Sequence, residues 1–170
     1  MAIVIEQLTY RYGGASGGGR SRSDSAPSPM DAALNGVTMT IGEGEFLGVI
    51  GHTGSGKSTL MQQLCGLLTP TGGSVLVDGF DTRDKQQRKR ARALVGLVFQ
   101  YPEYQLFEET VEKDVAFGPK NLGLSDEEAR AHAREALELV GLPAERFAGK
   151  SPFDLSGGEK RRAALAGIVA

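Results

Sequence analysis

Gly51-His52-Thr53-Gly54-Ser55-Gly56-Lys57-Ser58-Thr59 is the stretch on which the reading of this chain turns. Gly51, Gly56, Lys57 and Ser58 fill the pattern G-x-x-x-x-G-K-[ST]. The apolar run Phe46-Leu47-Gly48-Val49-Ile50 before it predicts a buried strand, and residues 60–68 after it predict a helix with Leu60, Leu64, Leu67 and Leu68 on one face. Strand, glycine loop and helix are the context this pattern requires. Glycines let the backbone turn its N–H groups inward onto phosphate oxygens, and the helix N-terminus adds partial positive charge. Lys57 can then reach the β- and γ-phosphates while the Ser58 hydroxyl ligates Mg²⁺. His52 occupies a variable loop position and carries no catalytic role. A glycine-rich turn before an ordinary helix is the plain alternative; the complete pattern in this context instead implies a nucleoside triphosphate held by residues 51–59.

Outward from the loop, 170 residues suffice for one domain with a sizeable core. With 19 Lys and Arg against 21 Asp and Glu, the charge demands neither a nucleic-acid nor a strongly acidic partner. Cys65, the single cysteine, falls in the helix after the loop, so it reads as a buried thiol and a disulfide within the monomer is excluded. No apolar run approaches a membrane span and the first residues lack the features of a signal peptide. The expectation is a soluble, cytoplasmic protein that meets a membrane only through partners.

Residues 2–10 and 34–41 predict strands, and residues 42–45 a turn. The stretch 13–29, built of Gly, Ser, Arg and Pro, predicts a flexible loop whose Arg20 and Arg22 serve solvation. Residues 74–77 read as a strand closed by the Asp78-Gly79 turn. The basic run 84–92 lacks interleaved aromatics, which favours a solvated helix face over nucleic-acid contact. Residues 94–99 predict a strand ending at Gln100, where a polar residue would face the ligand crevice of an α/β sheet. Thr110 to Phe117 predicts a helix closed by Gly118-Pro119. Ser125 with Glu128 forms a capping box opening a helix to about Val140, closed by Gly141. His132 reads as a surface residue of that helix.

Leu155-Ser156-Gly157-Gly158-Glu159 forms a second motif, with Ser156 as a helix N-cap ahead of an apolar tail. Together with the phosphate loop and the intervening glutamine, it resembles the ATP-binding cassette (ABC) ATPases, whose signature is LSGGQ. The resemblance covers essentially the whole chain. It implies an α/β fold: a P-loop NTPase core with an N-terminal antiparallel β-subdomain and a helical subdomain. On that basis residues 1–100 hold the β-subdomain and phosphate-loop core of a single nucleotide-binding domain. Residues 101–165 hold the Q-loop segment and the helical subdomain ending in the signature. Tyr12 would match the aromatic that stacks on adenine, and Gln100 the Q-loop residue contacting Mg²⁺ and the attacking water. With Lys57, Gln100 would be a catalytic residue. Leu155, Ser156, Gly157, Gly158 and Glu159 would meet the γ-phosphate held by a second subunit, so hydrolysis would need a dimer; Glu159 for Gln is a tolerated variation.

A narrower likeness lies in residues 98–107, VFQYPEYQLF, continuing through Glu109-Thr110-Val111 and Asp114 to Pro119. This looks like the ATPases of energy-coupling factor (ECF) transporters and of similarly built cobalt and nickel importers, in particular the second of their two ATPase types. The resemblance implies ATP and Mg²⁺ as cofactors and a second ATPase subunit as partner. A transmembrane coupling subunit and a separate substrate-binding membrane protein would complete the transporter. The chain would lie peripherally on the cytoplasmic face of the membrane and drive uptake of a vitamin or metal ion.

In this family the signature helix leads into a buried strand with the Mg²⁺-binding aspartate, then the catalytic glutamate and a histidine loop. The sequence through Ala170 contains none of these, and the core sheet is expected to lack its C-terminal part. The favoured reading is therefore the importer ATPase as a piece of a longer chain. Two others compete: a non-catalytic remnant that binds ATP without turnover, and a soluble ABC protein acting on DNA or ribosomes. The segment after Gln100 argues against the last.

Overall fold

The computed structural model describes residues 1–13 and 32–170, so the expectation of a flexible loop at 13–29 falls, beyond Gly13, outside the described residues. The chain divides into two compact units, Met1–Val95 and Gly96–Ala170.

The first unit is built on an antiparallel sheet in the order β2-β1-β3-β4, formed by Ile3–Tyr10 (β1), Leu34–Ile41 (β2), Gly72–Val77 (β3) and Phe80–Asp81 (β4). Alternating apolar residues put Ile3, Ile5 and Leu8 inward from β1 to meet Val75 and Val77 of β3. Ile5, Leu8, Val75 and Val77 are each at most 1% exposed. Burying each contributes about 1.5–3 kcal/mol relative to leaving it in water. Between Ile5 and Leu8 the register slips against β2, where Gln7 takes φ 47° and its N–H donates to Thr38 Oγ1 at 2.9 Å. This irregularity of the bulge kind keeps both Ile5 and Leu8 buried despite their odd spacing, then re-aims the end of β1.

Among the described residues two helices complete this unit, Lys57–Leu64 (α1) and Lys85–Leu94 (α2). The first starts earlier and ends earlier than its sequence pattern suggests: Leu60 and Leu64 are buried, but Leu67 lies beyond the helix and is exposed. Asp84 caps α2 by accepting from the N–H groups of Gln86 and Gln87. The basic residues of α2 are partly spent on structure. Arg92 donates twice to the Gly66 carbonyl beyond α1, at 2.7 and 3.1 Å, and Arg88 bonds Thr69.

Two expected strands are not formed. Residues 46–50 carry no regular structure, the expected strand 94–99 gives its first residue to the helix ending at Leu94 and is otherwise irregular, and Phe46 and Ile50 are almost fully exposed. A strand exists only by bonding to a neighbour, and among the described residues the one sheet is antiparallel and pairs with neither segment. Their apolar sequence is therefore not matched by burial.

The second unit is helical: Val111–Asn121 (α3), Asp126–Leu139 (α4), the short Ala144–Phe147 (α5) and Gly157–Val169 (α6). Its core joins Val111 and Val115 of α3, Leu137 of α4, Leu142 and Phe147, with Ala129, Ala133, Ala136, Ala163 and Ala166 between them. Alanines on these faces let helix backbones approach closely. Thr110 caps α3, whose expected stop at Gly118-Pro119 is overridden. The buried Pro119 forfeits only its own amide bond, and Leu122 closes the last turn onto the carbonyls of Gly118 and Pro119. The Ser125–Glu128 capping box is present in both directions and α4 closes at Gly141, as the sequence indicates. Cys65 is buried and His132 exposed.

Candidate functional site

The phosphate loop emerges from the unpaired segment 46–50 and ends at Gly56, the N-cap of α1. Gly54 and Gly56 hold φ of 84° and 89°, left-handed conformations that side-chain-bearing residues adopt at a cost. A Cβ on Gly56 would stand 2.4 Å from the Ala33 carbonyl oxygen, so the loop packs backbone to backbone against the start of β2. Gly54 faces open space, with no atom of the described residues within 4 Å of its added Cβ. The loop thus has a rigid inner side and an accessible outer one. Its residues 51–55 are exposed, while Lys57 and Ser58 stand at the first turn of α1.

Lys57 folds back across the loop. Its Nζ donates to the carbonyls of Gly51 at 2.7 Å and His52 at 2.8 Å, with Ser55 Oγ at 3.3 Å. The cation is therefore held over the loop rather than released into solvent. Ser55 N–H donates to the His52 carbonyl at 3.2 Å, tightening the turn. His52 Nδ1 lies 2.8 Å from the Thr53 carbonyl; a carbonyl only accepts, so this nitrogen carries the proton. Backbone N–H groups at a helix N-terminus, beside a held ammonium, suit a polyanion.

Tyr12, two residues past β1, reaches the same turn of helix. Its hydroxyl lies 3.0 Å from Thr59 Oγ1, and its ring meets Tyr10 edge-on with centroids 5.0 Å apart. Tyr12 is 62% exposed while Thr59 is 7% exposed. Phosphate loop, Thr59 and Tyr12 are thus gathered in the first unit. Nothing in the sequence pattern announced the Tyr12–Thr59 contact.

The remaining candidates lie in the second unit. Gln100 is exposed in a bend at the end of the unpaired segment rather than at a strand end. The residues after it form a turn at Pro102–Gln105, with Tyr101 and Tyr104 paired at 5.8 Å. Asp114 of α3 pins the stretch that leads into the helix: one carboxylate oxygen accepts from both Phe107 N–H and Glu108 N–H at 2.8 Å. Its role was not foreseen, since it depends on how residues 107 and 108 come back to the first turn of α3.

In the signature stretch Leu155 is buried and anchors α6, leaving Ser156, Gly157 and Gly158 exposed. Ser156 and Glu159 form a second capping box: Glu159 Oε2 accepts from Ser156 N–H at 2.8 Å and Ser156 Oγ at 2.7 Å. The Ser156 hydroxyl and backbone bonds, with Lys150 and Arg146 adding slightly, hold the Glu159 carboxyl below the usual glutamate value. Glutamate and glutamine both offer the oxygen a capping box needs at this position. Among the described residues no cluster of His, Cys, Asp and Glu could by itself hold a metal ion, and no helix is long and apolar enough to cross a membrane.

Comparison with known proteins places this arrangement. The chain is 54% identical over 172 residues to the energy-coupling factor transporter ATP-binding protein EcfA2 of Clostridium acetobutylicum, covering 100% of this chain and 56% of that protein. It therefore spans little more than half the length of this relative. Among solved structures it resembles cbiO1 of Clostridium perfringens, described as part of the ABC transporter complex cbiONQ. There the TM-score is 0.74 at 33% identity, covering 98% of this chain and 60% of that one. It also resembles the dimeric ATP-binding cassette MJ0796 in a post-hydrolysis state bound to ADP and Pi. The TM-score is 0.76 at 31% identity, covering 99% of this chain and 69% of that one. The ABC transporter family pattern matches residues 34–170, from β2 through the phosphate loop to the signature helix, and the chain belongs to that family.

Proposed function

We propose that this chain is the nucleotide-binding part of an ECF-type ABC importer subunit, which couples ATP binding and hydrolysis to uptake of a vitamin or metal ion. The observation that carries the proposal is the phosphate loop, its left-handed glycines and held Lys57 presented at the N-terminus of α1, in a chain 54% identical to an EcfA2 protein.

The donor set fits ATP with Mg²⁺. Residues 51–59 would receive the triphosphate through backbone N–H groups and Lys57, on the side that Gly54 leaves open. Tyr12 would offer its bare ring face to the adenine. The Ser58 hydroxyl would be a protein ligand of Mg²⁺, which typically takes few of them and relies on substrate phosphates. Mg²⁺ held there would supply neutralisation of phosphate charge. Leu155 to Glu159 would engage the γ-phosphate bound by a second ATPase subunit, the exposed Gly157 and Gly158 supplying N–H donors and the Ser156 hydroxyl, donated to Glu159 here, turning to join them. The dimeric state of MJ0796 supports such an arrangement.

In this reading the subunit sits on the cytoplasmic face of the membrane, held by a transmembrane coupling subunit. A separate membrane protein selects the substrate, and nucleic acid has no part. Phe107 and Phe117, T-stacked at 5.1 Å and exposed, lie beyond Gln100 in the chain as an apolar surface fit for a partner. The test is ATP-dependent uptake by the assembled transporter carrying Lys57→Ala in the full-length subunit. Loss of uptake with the complex still assembled supports the proposal. Undiminished uptake overturns it.

A further inference from the structure

Tyr12 belongs to no regular element. It comes after the end of β1, and beyond it Gly13 has a φ of 87°. A side chain so placed gains little rigidity from its own backbone, yet it is fixed at two points. The Tyr10 ring stands perpendicular to it, at 88°, and its hydroxyl meets Thr59 Oγ1 at 3.0 Å. Thr59 is the better anchored partner, buried in the first turn of α1 directly after Lys57 and Ser58. The ring is therefore tied to the helical turn that begins at the phosphate loop, while it remains 62% exposed.

We infer that Thr59 is a positioning residue: its hydroxyl locks the Tyr12 ring as a pre-set platform for the nucleotide base, fixing its separation from the phosphate cradle. The inference rests on the reading of Tyr12 as the base platform and adds what holds it there. Ordering a free aromatic side chain at the moment of binding costs affinity, and a preformed hydrogen bond removes part of that cost. The lock acts on the base end alone. An inorganic triphosphate, which has no base, gains nothing from it.

That asymmetry gives the experiment. In the full-length protein, affinities for a non-hydrolysable ATP analogue and for inorganic tripolyphosphate are measured by calorimetry, and their ratio is the readout. Tyr12→Phe keeps the ring and removes the hydroxyl; Thr59→Val keeps the shape and removes its partner. Each is expected to lower the preference for the nucleotide by about twofold to tenfold, the range of one net hydrogen bond. Thr59→Ser should retain the preference, and the Tyr12→Phe/Thr59→Val pair should be no worse than either alone. If Thr59 served only as a phosphate ligand, Thr59→Val would weaken both ligands equally and leave the ratio unmoved, overturning the inference. An unchanged ratio in Tyr12→Phe, or a Thr59→Ser variant as poor as Thr59→Val, overturns it too. Tyr12→Ala separates the levels. A collapsed ratio there, beside an unchanged one in Tyr12→Phe, refutes the lock and keeps the platform; an unchanged ratio in Tyr12→Ala refutes the platform itself.

Discussion

Two glycines of the phosphate loop, alike in backbone conformation and unlike in surroundings, allow a controlled comparison. Gly54 and Gly56 have φ of 84° and 89°. Placing alanine at either forces a left-handed conformation, at about 1–2 kcal/mol. At Gly54 there is no further cost from packing, because the new methyl meets no atom of the described residues within 4 Å. At Gly56 it would lie 2.4 Å from the Ala33 carbonyl oxygen and 3.0 Å from Leu34 Cδ2. Relief requires moving Ala33, whose N–H donates to the Tyr10 carbonyl at 2.8 Å, so β1–β2 pairing is strained as well. Overpacking of this kind adds about 1–3 kcal/mol. Gly56→Ala should therefore lower the melting temperature by several degrees more than Gly54→Ala, given roughly 2–4 °C per kcal/mol for a chain of this size. Scanning calorimetry on both variants measures the gap, and ATP titration should show binding weakened in each. Equal melting temperatures would refute the claim that the inner side of the loop is braced against β2.

Lys57→Ala should abolish ATP retention by the isolated subunit, since it removes the cation held by the Gly51 and His52 carbonyls; calorimetry showing unchanged affinity would defeat the phosphate-loop assignment. Ser156→Arg should leave ATP binding by the single subunit intact and block ATP-driven association, read by analytical ultracentrifugation; an ATP-dependent dimer in that variant would contradict the role across the interface. Asp114→Ala removes the acceptor shared by Phe107 and Glu108 and should cost about 1–3 kcal/mol, with faster hydrogen exchange at those two amides as its mark. Glu128 and Glu159 are both held below the usual value by the serines they cap. Their contribution is thus present above the unfolded value, about 4.3, and is lost as pH falls through the lowered folded value. Glu128→Gln and Glu159→Gln, which keep a capping oxygen without the ionisation, should flatten the acid limb of a melting-temperature profile; a limb as steep as wild type would rule these carboxylates out.

Local chemistry made much of this architecture readable. Ser125 and Ser156 announce helices because an N-cap hydroxyl and a glutamate three residues on satisfy each other within one turn. The strands β1 and β2 were readable from alternation, although the slip at Gln7 was not, since it depends on Thr38 across the sheet. Pro119 misled because its usual effect assumes a helix interior; near the last turn of α3, buried and with the following amides rebonded, it is accommodated.

The apolar runs 46–50 and 94–99 show a different boundary. Such runs state that burial is favourable but not against what, and a strand is a property of a pair. With one antiparallel sheet among the described residues, the chain leaves Phe46 and Ile50 exposed despite their composition. The phosphate loop did not share this ambiguity. Its glycines, lysine and serine are specified by the conformations and charges they supply, and the left-handed Gly54 and Gly56 are what glycine at those positions allows. The Tyr12–Thr59 contact falls between these cases. Both residues stand out in the sequence, one through resemblance and the other as part of a motif. Their meeting across 47 positions nonetheless depends on how β1 ends and where Gly56 starts α1. Motifs of residue type therefore singled out Tyr12 and the phosphate loop separately, while the contact that joins them became visible only with the fold.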